Sequence, residues 1–252
     1  MKYMFLIYGA ENSWTEDERN ACMIESIGIG QQLAAQGKYV ASAPLQSVAT
    51  AATIRVRDGR PLVTDGPYAE TTEQLGGFYL LDLTDLDEAI AVACRLPPAK
   101  KGTVEIRPVL AMEGLPEAQP LPENATETPY MLLCCHNEAR WNEAGPVAQQ
   151  EARTEARALA HDLQRNGRYL DASPLHPPAT ATCVRVRDGK RIITDGPFAE
   201  THEVLGGFYL FLAESRAAAI AAGARQPGAR FGAVEVRPLF DLSALRSSLG
   251  NL

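Results

Sequence analysis

The 252-residue chain is poor in several features that would place it quickly. No apolar run approaches the roughly 18 residues that a membrane-spanning helix requires, so no segment is expected to cross a bilayer. The opening MKYMFLIYG stretch is too short in its apolar part for a secretory leader and reads as a first β-strand. There is no basic excess either. The net charge is −7, which argues against nucleic acid as a partner, since its binders need a basic face. Cysteines are few and odd in number (Cys22, Cys94, Cys134, Cys135, Cys183) with no CxxC spacing, the pattern of reduced thiols in a cytoplasmic protein. The sequence holds no GxSxG elbow, P-loop, strand–GxGxxG–helix context, HxH or HExxH, so neither a metal nor another cofactor is implied.

What is present is a repeat. Arg55-Val56-Arg57-Asp58-Gly59 returns as Arg185-Val186-Arg187-Asp188-Gly189, and Val104-Glu105-Ile106-Arg107-Pro108 as Val234-Glu235-Val236-Arg237-Pro238, each 130 residues later. Over 55–80, 19 of 26 positions match, which is duplication of a whole unit rather than a solenoid of short repeats. Upstream, Tyr3-Met4 pairs with Tyr130-Met131 at an offset of 127, so the second copy gained three residues around its first helix. The expected organisation is repeat 1 over 1–112, a Pro- and Glu-rich extended linker over 113–129, repeat 2 over 130–240 and a tail over 241–252.

The copies are unequal. Residues 1–128 carry ten basic and eighteen acidic side chains and no histidine, whereas 129–252 carry fourteen and thirteen and all four histidines, His136, His161, His176 and His202. Any activity is therefore expected in the second copy.

Each copy has the same order of elements. An apolar strand (3–8; 130–135) precedes a helix. In copy one this helix opens on the capping box Thr15-x-x-Glu18, and in copy two Ala152, Ala156, Leu159, Ala160 and Leu163 form one of its faces. Gly37 and Gly167 stand where a helix C-cap glycine belongs. A second strand (39–42; 169–172) follows, then a hairpin turning at Asp58-Gly59 or Asp188-Gly189. A strand (77–83; 207–212), a short helix (85–95; 215–224) and a last strand (103–107; 233–237) complete the unit. This order predicts an α+β fold of two ferredoxin-like units, each with an added hairpin. Helices would cover one face of each sheet, and the two sheets would cover each other.

The longest shared motif is Asp65-Gly66-Pro67-Tyr68-Ala69-Glu70-Thr71 with Leu75-Gly76-Gly77-Phe78-Tyr79-Leu80, repeated as Asp195-Gly196-Pro197-Phe198-Ala199-Glu200-Thr201 with Leu205 to Leu210. It resembles the signature of the YCII-related family in its DGPF branch, over roughly 1–110 and 128–240. The resemblance implies a dimeric α+β barrel, here completed within one chain, so the protein is expected to be a monomer or a weak homodimer. It implies a small-molecule ligand, either for a lyase- or hydrolase-like enzyme using a His–Asp pair or for a non-catalytic binding or regulatory protein. For the branch it also implies association with an extracytoplasmic-function sigma factor. The family's catalytic histidine lies in the early or middle part of the first helix, where neither copy has one. The lysine common in the branch is Thr72 here, and its counterpart is His202.

Read from the residues, Asp65 and Asp195 either brace their own turn or act as general bases at a cleft. Strand ends and the motif loop could bring His136 or His202 beside Asp195 as the acid–base partner. Arg55 and Arg185, alternating with apolar residues on one hairpin face, could meet an acidic ligand or the motif carboxylates. Glu70, Glu200, Thr71 and Thr201 are either polar residues over a pocket mouth or a helix start. A third reading is a purely structural module with its sheet faces filled by Phe78, Tyr79, Phe208 and Tyr209.

Overall fold

A computed structural model of the chain describes residues 1–69, 71–122, 125–199, 203–243 and 245. The first half contains β1 (Lys2–Gly9), α1 (Glu16–Ala35), β2 (Tyr39–Pro44), β3 (Ala52–Arg57), β4 (Arg60–Asp65), β5 (Gln74–Asp82), α2 (Leu86–Arg95) and β6 (Thr103–Pro108). The second contains β7 (Thr128–His136), α3 (Glu138–Arg165), β8 (Tyr169–Pro174), β9 (Thr182–Arg187), β10 (Lys190–Asp195), β11 (Val204–Ala213), α4 (Arg216–Arg225), the single turn α5 (Gly228–Phe231) and β12 (Gly232–Pro238). Among the described residues no helix is long and apolar enough to cross a membrane.

The fold is α+β, with two six-stranded antiparallel sheets packed face to face and helices outside each. Sheet I runs β10-β9-β6-β1-β5-β2 and sheet II runs β4-β3-β12-β7-β11-β8. Within each, the β6-β1-β5-β2 or β12-β7-β11-β8 segment is a ferredoxin-like sheet. Covering both faces explains why the first strands are apolar throughout. Met4 and Leu6 meet Met131, Leu133 and Cys135 between the sheets, whereas Tyr3 and Phe5 pack outward against α1 and α2, and Tyr130, Leu132 and Cys134 against α3 and α4.

The hairpins change places between the halves. The element order gives each unit an added hairpin without naming the edge it joins; β3–β4 of the first half extends the second half's sheet through β12, and β9–β10 of the second extends the first half's sheet through β6. Alternation along a strand specifies which face is buried but not which neighbouring edge it joins, so the exchange is invisible in the pattern. In the structure an arginine secures it. Arg57 donates to the carbonyls of Ala229, Arg230 and Gly232, and Arg187 to those of Ala99, Lys100 and Gly102. Ile54 and Val184 are thereby buried in the opposite half's outer core.

Local signals read from sequence appear as expected. Thr15 and Glu18 form the reciprocal capping box, and Gly37 and Gly167, both at φ 70°, end their helices with paired bonds back to the last turn. The longer first helix of copy two is kinked at Gly145-Pro146. The linker is more than a spacer: Leu115 packs on the second half's outer core, Gln119 N–H bonds Leu170 O at 2.6 Å, and Tyr169 Oη donates to Pro116 O.

Candidate functional site

The two Asp-Gly-Pro loops meet where the sheets face each other, and the strands that close each half hold them there. Period two places Glu105 and Arg107 on one side of β6, and Glu235 and Arg237 on the same side of β12; all four are buried, with exposures of 3%, 2%, 1% and 1%. Arg107 Nη1 lies 3.1 Å from Glu105 Oε1, and Arg237 Nη1 lies 2.9 Å from Glu235 Oε1. The remaining carboxylate oxygen reaches across: Glu105 accepts Phe198 N–H at 2.7 Å, and Glu235 accepts Tyr68 N–H at 2.9 Å. Arg107 also donates to the carbonyls of His176 and Leu205, and Arg237 to those of Gln46 and Leu75. Each half thus grips the other's motif loop immediately after its proline.

A cavity of about 50 Å³ remains between the loops, lined by these four charged residues with Tyr8, Tyr68 and Phe198, among others. Tyr8 stacks on Phe198 with ring centres 4.4 Å apart. Burial raises the Tyr8 phenol well above its ordinary pKa, and the neighbouring Cys135 thiol, followed by burial, does the same to Tyr68. Both phenols stay neutral in a space with room for little beyond water.

The catalytic candidates stand elsewhere. Asp65 ends β4 with its side chain 85% exposed and accepts a 2.6 Å bond from Arg216, while Asp195 ends β10 on the exposed surface. Neither lines the cavity between the loops. His136 ends β7, half-buried, 6.2 Å from the Trp141 ring and packed over Gly206, where a Cβ would overlap the imidazole. Burial lowers its pKa. Of the other histidines, His161 bonds Gly114 O and the His176 carbonyl takes Arg107. Arg55 pairs with Glu203 at 2.7 Å and Arg185 donates to Thr103 Oγ1 at 2.7 Å, so neither meets a motif aspartate. Thr71 lines the small cavity and donates to Glu73 O. Glu70, Glu200, Thr201 and His202 lie outside the described residues.

In the sequence the Glu–Arg pairs stand out only as part of the repeat. The available signal was a Glu and an Arg alternating with Val and Ile in an otherwise apolar strand, twice, in a protein whose sheets need covering on both faces.

A far larger cavity, about 1060 Å³, lies between α1 and sheet I in the first half and is bordered by Phe240, Asp241 and Leu242 from beyond β12. On α1, Arg19, Cys22, Met23, Ser26, Ile27 and Gly30 are among the residues that face it, and they recur at helical spacing. Trp14, Leu45, Phe78 and Phe240 add apolar surface, and Ser42 and Tyr39 add hydroxyls. Arg19 donates to Glu11 O at 2.9 Å, and the Glu11 carboxylate takes the Ser47 hydroxyl and the Val48 N–H. Burial pushes the Cys22 thiol up, so it stays protonated. Neither Asp195 nor His136 lines this cavity. Among the described residues, no cluster of three or more histidine, cysteine or carboxylate side chains could hold a metal ion.

Comparison with known proteins agrees with the duplicated plan. A family model described as the YCII-related domain matches residues 1–113 and again 128–243. An uncharacterized protein of Rhizobium meliloti (strain 1021) is 38% identical over 114 residues, a stretch making up 43% of this chain and 92% of that protein. Among solved structures, "Putative Chlorite dismutase TA0507" matches over 98% of both chains, with a TM-score of 0.45 and 10% identity.

Proposed function

The chain belongs to the YCII-related family, with one matched segment in each half, and from that premise we propose that it binds a small, largely apolar organic molecule in the cavity of its first half. The observation that carries this reading is the cavity itself. At about 1060 Å³ it reaches the upper end of the ~300–1,000 Å³ typical of ligand sites, and its apolar walls with a few polar groups have the usual make-up of such sites. Met23, Ile27, Trp14 and Phe78 would take the ligand's body. Arg19, which spends one guanidinium nitrogen on Glu11 O, has donors left for an oxygen-bearing group.

Binding fits the local chemistry better than turnover. The Cys22 thiol is protonated, the Glu11 carboxylate is occupied and the Asp241 carboxylate takes the Ser243 N–H and hydroxyl, so among the described residues the wall offers neither an activated nucleophile nor a free base. The acid–base alternative draws little support from the motif aspartates, since both are exposed and Asp65 is committed to Arg216.

The test uses the uncharged fluorophore N-phenyl-1-naphthylamine as the probe. Wild-type protein should bind it saturably, with enhanced fluorescence. The double variant Met23→Arg/Ile27→Arg, which installs the residues of the second half, should weaken binding at least about tenfold, with unchanged circular dichroism. Absence of saturable binding, or binding indifferent to the double variant, would overturn the reading.

A further inference from the structure

The outer hairpin strands leave a free edge on each sheet, β10 on sheet I and β4 on sheet II. All six residues of both strands are exposed, including Leu62 and Val63 on one and Ile192 and Ile193 on the other. An exposed edge carrying apolar side chains is a template for pairing with another chain. Gly66 N–H bonds Ala51 O and Gly196 N–H bonds Ala181 O, which sets the phase of each strand. Even-numbered residues bond inward, and the backbone groups of residues 61, 63 and 65, or 191, 193 and 195, turn outward.

The two edges are not equivalent. In β4 the outward position 61 is proline, which has no N–H to give, and Asp65 is held by Arg216. In β10 the same position is Arg191, with its N–H. The place of Arg216 is taken in the other half by Leu86, and Asp195 has no ion-pair partner among the described residues. One edge is blunted and the other is open.

We propose that β10 is a self-association surface, on which two copies of the chain pair β10 to β10 antiparallel and join their sheets I into one sheet of twelve strands. Outward groups must oppose outward groups, so the twofold axis falls on residue 192, 193 or 194. Centring on Ile192 sets Arg191 against Ile193, and centring on Thr194 sets Asp195 against Ile193 and Arg191 against Pro197. Centring on Ile193 sets Arg191 against Asp195 of the second copy, twice, with the two Ile193 side chains adjacent. Opposite charges directly across an antiparallel pair favour that register, and like charges there oppose it. One six-residue strand from each copy makes a small contact, so the dimer is weak and reversible.

Sedimentation velocity of the full chain between about 1 and 500 μM tests this. Wild-type protein should show a reversible monomer–dimer equilibrium that weakens with salt. Arg191→Pro, which copies residue 61 of the first half, and the single variants Arg191→Asp and Asp195→Arg should each raise Kd at least about tenfold. The double variant Arg191→Asp/Asp195→Arg should return Kd to within about threefold of wild type, and this arm does not depend on the proline variant folding. A wild-type chain that stays monomeric throughout, a dimer unchanged by Arg191→Pro, or singles not rescued by the double exchange would each overturn the proposal.

Discussion

In corresponding positions of the first helix the two halves carry opposite chemistry. Met23 and Ile27 face the cavity in the first half; at the same places the second half has Arg153 and Arg157. Arg153 lies 5.9 Å from the centre of the Trp141 ring, and Trp141 meets Phe231 edge-on at 5.1 Å. The equivalent of that last pair in the first half is Trp14 with Lys101, whose ammonium stands 4.7 Å from the ring centre. The linker then crosses the second half, fastening Pro116 to Tyr169 and Gln119 to Leu170. Duplication supplied two copies of this helix, and the large cavity described above lies beside the one in the half that has no histidine. Histidine content, which favours the second half as the seat of activity, and cavity volume thus point in opposite directions.

Where the halves are alike, they are alike at the clasp. Removing one partner of a buried ion pair strands the other charge, at a cost of about 3–5 kcal/mol. Denaturant unfolding of Arg107→Met and Arg237→Met should show losses of this size in both. The finer expectation is an inequality: Arg107 Nε is buried without a partner among the described residues, whereas Arg237 Nε donates to Gln46 O at 3.2 Å. Arg237→Met should therefore cost about 1 kcal/mol more. Equal losses, or the reverse order, would break the comparison.

A smaller effect probes the exchanged hairpins. A Cβ on Gly223 would come within 2.8 Å of Ile54 Cδ1; at the equivalent positions the other half has Ala93 and the shorter Val184. Gly223→Ala should cost about 1 kcal/mol, an overpacking penalty of about 1–3 partly offset by better helix propensity. Adding Ile54→Val, as in the other half, should recover it. Without recovery in thermal unfolding, the crossed packing would lose its support.

The smallest effect is expected at His136, whose counterpart is Gly9. Burial depresses its folded-state pKa, so as pH falls through about 6.5 the unfolded chain takes up the proton first. Stability should decline between that pH and the lower folded-state pKa, then level off. His136→Phe should flatten this part of the pH profile, and an unaltered slope would assign it to other groups.

Much of the fold was legible because its causes are local or repeated. The offset of 130 located the halves, the Thr15–Glu18 box and the glycines at 37 and 167 bounded helices, and the Asp-Gly turns marked hairpins. The candidate site was legible only in part. Asp65 and Asp195 stood out because the motif is conspicuous in both copies, yet the motif residues gripped across the interface are Tyr68 and Phe198, through backbone N–H groups that any residue but proline supplies. The residues that grip them, Glu105 and Glu235, were in plain view as alternating charges, but period two does not reveal that the charged face points inward.

By itself the sequence determined the number of units, the order and type of their elements, the apolar faces and the inequality in charge and histidine. These follow from periodicity, turn chemistry and composition, which act over a few residues or sum over all of them. Tertiary structure alone decided that the hairpins change places, that the Asp-Gly-Pro loops are clasped through the opposite half, and that a large cavity opens beside the first helix of the first half. Those outcomes depend on which strand edge lies nearest and on how side chains from distant segments share a volume, and neither is written in the spacing of residues along one chain.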